Sequence, residues 1–154
     1  MNIKGRWLTW EELHPYTEQL IDLEIELTHK YHYPDMEIPR SFAKDRVKGL
    51  EKHMKSGNTF FWAIIEEECL LGYYWAYISV FIDRKRWNLR SLMFRDCVKG
   101  YGYGKEAIEA GLLKAKEMGC NEAATEYVSW NITIAAMLEK FGYSPSRIEV
   151  VKKL

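Results

Sequence analysis

The sequence predicts a mixed α/β domain in which an antiparallel sheet leads into a crossover unit, and three observations carry that prediction. Thr59-Phe60-Phe61-Trp62-Ala63-Ile64-Ile65 and the run from Leu70 to Phe81 are dense in aromatic and β-branched residues. Little more than Glu66-Glu67-Glu68 separates them, the pattern of an antiparallel hairpin. In the second half, helices of regular apolar spacing alternate with short strand-like runs. Between the two halves, Gly100, Gly102 and Gly104 stand at alternate positions just ahead of an amphipathic helix.

Taken in order, Thr9-Trp10-Glu11-Glu12 has the hydroxyl and early acids of a helix start, and the apolar positions Leu20, Leu23, Ile25 and Leu27 place the main helix over about Tyr16 to His29. Pro34 and Pro39 make Tyr31 to Pro39 a loop. Ser41 then caps a helix running to about Lys55, with Phe42, Val47, Leu50 and Met54 facing inward and Gly57-Asn58 ending it. After the hairpin, Asp83-Arg84-Lys85-Arg86 reads as a solvated basic turn and Asn88 to Phe94 as a third strand. A helix follows from about Lys105 to Met118, with Ile108, Leu112 and Ala115 on one face and Gly119 as its stop. Glu122 to Val128 is expected as a strand, and Asn131 caps a helix over Ile132 to Phe141 that Gly142 terminates. Ile148 to Lys152 is expected to close the chain as a strand.

Composition bounds the function. A chain of 154 residues suits one domain, 1–154. Lys+Arg and Asp+Glu both number 22, so the basic excess of a nucleic-acid binder is missing. Cys69, Cys97 and Cys120 are too few and too scattered for a disulfide framework or a zinc site, and His14, His29, His32 and His53 add no metal motif, so no metal is expected. Reduced thiols, an N-terminus without an apolar stretch and no run of about 18 apolar residues lead to the expectation of a cytoplasmic protein with no membrane partner.

The glycine-rich loop is the main chemical signal. Glycine takes positive φ and lets a ligand approach the backbone, and the helix behind it offers unpaired N–H groups with a partial positive charge. That is the physics of a pyrophosphate site, with Lys99 and Lys105 flanking it. A Walker loop needs Ser or Thr after its lysine, but Glu106 follows Lys105, and Lys99 stands where its first glycine belongs. The dinucleotide fingerprint needs a glycine at 105 or 107, where Lys105 and Ala107 stand.

Lys99-Gly100-Tyr101-Gly102-Tyr103-Gly104 is similar to the (Gln/Arg)-x-x-Gly-x-(Gly/Ala) motif of the GNAT acyltransferases, with Lys99 in place of the usual Arg or Gln. The resemblance continues through the helix and exit Gly111 to Cys120, and through Asn131 to Tyr143, an Asn before a helix that ends in Phe141-Gly142-Tyr143. It spans roughly Leu92 to Tyr143, a third of the chain. It implies a GNAT-like, mostly antiparallel sheet of about six to seven strands flanked by about four helices, with a splayed strand pair at the coenzyme A site. It also implies an N-acetyltransferase using acetyl-CoA as acyl donor. The pyrophosphate would lie on backbone N–H groups of Tyr101 to Lys105, the pantetheine arm beside Met93 and Phe94, and Asn131 next to that arm. A primary amine would attack the thioester directly in a ternary complex, and the family often forms homodimers.

One position departs from the family. Many members carry a tyrosine as general acid four residues before the closing glycine, where this chain has Leu138. Either the thiolate leaves unprotonated, since a thiol has a pKa of about 8.5, or Tyr143, Tyr127, Ser129 or Cys97 serves as donor, or the domain binds acyl-CoA without turning it over. Glu126 and Asp96 are the candidate general bases. The loop Tyr31 to Arg40, with His32 and Asp35, is the candidate acceptor side. The alternatives are a non-catalytic acyl-CoA-binding or sensing domain and a phosphate-binding module using the glycine loop alone. The identity of the amine is not legible.

Overall fold

The computed structural model describes residues 2–154. One sheet of five strands organises the chain: β1 (Arg6–Leu8), β2 (Thr59–Glu66), β3 (Cys69–Phe81), β4 (Arg84–Phe94) and β5 (Glu122–Thr125), in that spatial order. The first three junctions are antiparallel and β4–β5 is parallel. Helices α1 (Trp10–Leu13), α2 (Thr17–Leu27), α3 (Arg40–Lys48) and α4 (Leu50–Lys55) cover one face, and α5 (Tyr103–Glu117) and α6 (Ile132–Lys140) the other.

Side-chain alternation along the strands produces the two cores. Phe61, Ala63, Tyr73, Trp75 and Met93 meet Leu13, Leu20, Leu23, Val47 and Leu50 on the first face. Their neighbours Trp62, Ile64, Tyr74, Ala76, Trp87 and Leu89 meet Tyr103, Ala107, Ile108, Ala115 and Leu138 on the second. Because both faces are covered, β2 and β3 read as continuous apolar runs rather than alternating ones. The hairpin turn is made by Glu67 and Glu68, both at positive φ (49° and 60°). Within the second core the Trp87 indole N–H donates to the Tyr74 hydroxyl at 2.7 Å, which satisfies both polar groups.

Several expectations need correction. The tail from Ile148 to Lys152 forms no strand: Ile148, Val150 and Val151 are 85%, 87% and 79% exposed. Its apolar residues break alternation at 150–151, so no single face gathers them. The described residues therefore hold five strands, not six to seven. Among the described residues there are six α-helices rather than about four, because the N-terminal helical stretch is interrupted by a 3₁₀ turn at His14–Tyr16, with Pro15 in its first turn, and the next is broken at Gly49. Helix α1 does start at the Thr9–Glu12 capping box. Pro39, not Ser41, precedes α3, and Phe42 points outward beneath the Arg46 guanidinium. The basic run is no turn: Arg84 opens β4, Arg84 and Arg86 reach Glu122 of β5 at 3.7 and 2.7 Å, and the Lys85 amine donates to the Met118 carbonyl at 2.5 Å. Strand β5 stops at Thr125, so Glu126 lies just past it.

Candidate active site

The site begins where two strands part. The parallel ladder joins Arg86–Leu89 to Glu122–Thr125 and ends there, with the Thr125 hydroxyl bonded to the Leu89 carbonyl at 3.1 Å. Strand β4 runs on to Phe94 paired only with β3, which leaves its other edge facing a gap. Register decides which residues present their backbone there. The Arg95 N–H bonds the Leu71 carbonyl at 2.8 Å, so the antiparallel alternation turns Met93 toward β3 and turns Leu92 and Phe94 toward the gap. Leu92, which the sequence reading did not single out, thus offers its backbone to the gap, and Met93 buries its side chain in the first core. The strand-pairing phase that separates them is not legible without the partner strand.

A 3₁₀ turn (Asp96–Val98) carries the chain from β4 into the glycine loop. Gly100 and Gly102 both sit at φ 84°, a conformation disfavoured for other residues, and Gly102 precedes α5 with no side chain capping its first turn. The early N–H groups of a fifteen-residue helix therefore stay available to an anion. Lys99 donates to Asp96 at 2.6 Å, and that bond holds the ammonium up at about 12. Lys105 extends outward toward Glu109, and Tyr101 is exposed. Tyr103 is buried, its hydroxyl accepting from the Ile3 N–H at 2.9 Å, so only its backbone is available to a ligand. Gly104 faces Met137 of α6 and Phe94. Asn131 caps α6 by accepting the Ile134 N–H at 3.3 Å.

The other candidate residues fall in different places. Leu138 is 2% exposed and belongs to the second core. Tyr143 is half-buried on that same side, and burial pushes its hydroxyl above the ordinary value. Glu126, Tyr127, Ser129 and Cys97 are exposed. His32 and Asp35 do not come together: Asp35 lines a hollow beside α2 with Asp22, Glu26 and His29, and His32 is not among its lining residues. The Thr28 hydroxyl bonds the Glu24 carbonyl at 2.7 Å, and α2 there widens into a single π-helical turn (Thr28–His32) that ends on His32.

Burial, with the Arg46 charge second, holds the His32 imidazole below its ordinary 6.5, and Glu24 opposes this only in part. The unfolded chain thus takes up the proton first as pH falls. The stability held by the neutral ring is complete above 6.5 and is lost as pH drops through 6.5 toward the folded value. Urea unfolding at pH 7.5, 6 and 5 should show this decline, and His32→Gln should flatten it.

Comparison with known proteins decides the family. The sequence model described as acetyltransferase (GNAT) domain matches residues 6–144. The chain belongs to the GNAT acetyltransferase family. Its relative YdgE, an uncharacterized N-acetyltransferase of Bacillus subtilis (strain 168), is 25% identical over 100 residues, a match that spans 64% of each chain. Two solved structures share the fold at low identity. A transcriptional regulator from Bacillus halodurans C-125 has a TM-score of 0.76 at 15% identity, over 99% of this GNAT chain and 100% of that one. AAC(6')-Iy, solved with the bisubstrate analog CoA-S-monomethyl-acetylneamine, has a TM-score of 0.72 at 14% identity, over 100% and 99%. No helix of the described residues is long and apolar enough to cross a membrane, and no group of three or more His, Cys, Asp or Glu among them could hold a metal.

Proposed function

We propose that this GNAT chain is a single-domain cytoplasmic enzyme that transfers an acetyl group from acetyl-CoA to a primary amine. The observation that carries the reading is the free edge of β4 beyond Leu89, which leads directly into the uncapped, glycine-lined start of α5. A strand-like pantetheine arm pairs with backbone at Leu92 and Phe94, and the pyrophosphate rests on N–H groups of Tyr101 to Lys105. The complex of a related fold with a coenzyme A bisubstrate analog supports this choice of donor.

In the proposed reaction the amine nitrogen attacks the thioester carbonyl carbon, a C–N bond forms, and the C–S bond breaks. The ammonium proton leaves through water to Glu126, at the mouth of the gap. Tyr143 keeps its proton and donates a hydrogen bond to the departing sulfur. Backbone N–H groups on the β4 edge polarise the carbonyl oxygen, and much of the rate comes from holding the two reactants together.

Calorimetry with acetyl-CoA, ATP and NAD tests the donor. Selective binding of acetyl-CoA is expected, followed by release of free thiol when amines are supplied. A chain that binds none of the CoA thioesters is not an acyltransferase. A chain that binds acetyl-CoA but releases no thiol with any amine is a sensing domain instead, a reading that the buried aliphatic Leu138 favours.

A further inference from the structure

Directly at the point where β4 and β5 part, but on the α2–α3 face of the sheet, lies a group of polar side chains that the donor site does not use. Glu24 of α2 is fully buried; its Oε1 accepts from the Tyr73 hydroxyl at 2.8 Å, and its Oε2 has no hydrogen-bond partner. Arg46 of α3 approaches that oxygen only to 3.7 Å, and its own Nε is buried without a partner. Arg90 is the extra residue of a β-bulge, since Trp75 pairs with Ser91 and Ala76 with Leu89. Its guanidinium lies 4.9 Å from the centre of the Trp75 ring and has no carboxylate partner among the described residues. Ser91, 3% exposed, points its hydroxyl into the same layer, again without a partner.

A cluster built only for packing satisfies its buried groups. Here three buried atoms lack partners, Arg46 stands 3.7 Å from the one buried carboxylate, and Arg90 rests on the Trp75 ring with no carboxylate of its own among the described residues. Water could supply hydrogen bonds to these atoms, but no counter-charge for Arg90. Although Arg90 is exposed as a whole, desolvation of its guanidinium, with the Arg46 charge second, holds it below the ordinary value, and Glu24 opposes this in part. An oxyanion placed between the two forks would give Arg46 and Arg90 charge-assisted partners and accept from the Ser91 hydroxyl. Position sets what such an anion belongs to. Arg90 directly follows Leu89, the last β4 residue paired to β5, so a group held there lies at the entrance to the thioester's proposed place.

We infer that the acceptor is an amine carrying an anionic oxygen group, carboxylate or phosphate, which Arg46, Arg90 and Ser91 hold on the α2–α3 face while its amino group meets the acyl donor. This rests on the acyltransferase reading above. It separates this chain from enzymes whose acceptors are polycations, because the Arg90 guanidinium, which has no carboxylate partner among the described residues, repels a second positive charge.

The test uses matched amines: L-phenylalanine against phenethylamine, and O-phosphoethanolamine against ethanolamine. On the free protein, the arginine Nε–H NMR signals of Arg46 and Arg90 should shift with the anionic member of a pair and not with the neutral one. With acetyl-CoA, thiol release should favour an anionic member by about tenfold or more in kcat/KM, as expected for one charged hydrogen-bonded contact. Arg90→Gln, at an exposed position, should raise KM for that member by a similar factor with kcat nearly unchanged, and leave the neutral member unaffected. Arg46→Lys covers the case in which Arg46→Gln fails to fold. Signals that move with neither anionic probe, or neutral amines acetylated as well as their partners, overturn the proposal. If calorimetry shows no acetyl-CoA binding, the acyltransferase reading falls by itself, and the NMR arm still decides whether the anion site exists.

Discussion

Gly111→Ala lowers the melting temperature of this protein by about 6–12 °C, one of the largest effects expected from a single added methyl group here. Helix α5 crosses β3 so closely that a Cβ at position 111 would stand 2.3 Å from the Tyr74 hydroxyl and 2.4 Å from its ring. The ring cannot step aside cheaply, because its hydroxyl is fixed by the Trp87 indole and its surroundings are closed core. Overpacking of that kind costs about 3 kcal/mol. Gly57→Ala is the contrast: a Cβ there meets nothing within 4 Å, and only its φ of 78° resists the change, at about 1–2 kcal/mol. Thermal unfolding of both variants checks the ranking. Tyr74→Leu combined with Gly111→Ala should lose less than the sum of the two, since each change relieves the other. An unperturbed Gly111→Ala protein would mean that α5 stands further from the sheet than described.

Gly104→Ile should weaken the proposed acetyl-CoA binding strongly while sparing the fold. A Cβ at 104 meets the Met137 side chain at 3.6 Å and the Phe94 ring at 3.8 Å, which is ordinary contact, so Gly104→Ala is accommodated. A branched side chain has to occupy the space between α5, α6 and the free end of β4, where the donor arm is proposed to run. The Kd for acetyl-CoA should rise on the order of a hundredfold, about 2.7 kcal/mol, in calorimetry, with unfolding within about 1 kcal/mol of the parent. The alanine variant should bind within a few-fold of the parent. Tight binding by Gly104→Ile would place the donor elsewhere.

What the sequence disclosed was local. The helix start at Thr9–Glu12, the Asn131 cap, a turn within Glu66–Glu68 and the helix stops at Gly119 and Gly142 all depend on residues a few positions apart, and each is found, with the turn narrowed to Glu67–Glu68. The glycine loop was legible for the same reason. Features that join distant segments were not. Glu24 and Tyr73 are 49 positions apart, and neither residue alone signals a buried pair. Gly111 looked like a routine helix residue because its constraint, Tyr74, belongs to another element. The phase that offers Leu92 rather than Met93 to the gap depends on pairing with β3. The tail misled in the opposite direction: Ile148, Val150 and Val151 have strand propensity, but propensity without a partner edge produces no strand.

The route by which β5 enters the sheet orders how the domain assembles. Strands β2, β3 and β4 are joined by two-residue turns, so their pairing closes only short loops. Strand β5 reaches β4 across 36 positions, from Arg86 to Glu122, and the glycine loop and all of α5 lie inside that span. Closing it costs more chain entropy and waits on the meander that provides its template. The half that carries the proposed donor site is therefore the late-forming, first-opening part of the molecule, and a ligand seated there would act as the clasp on its weakest cooperative unit.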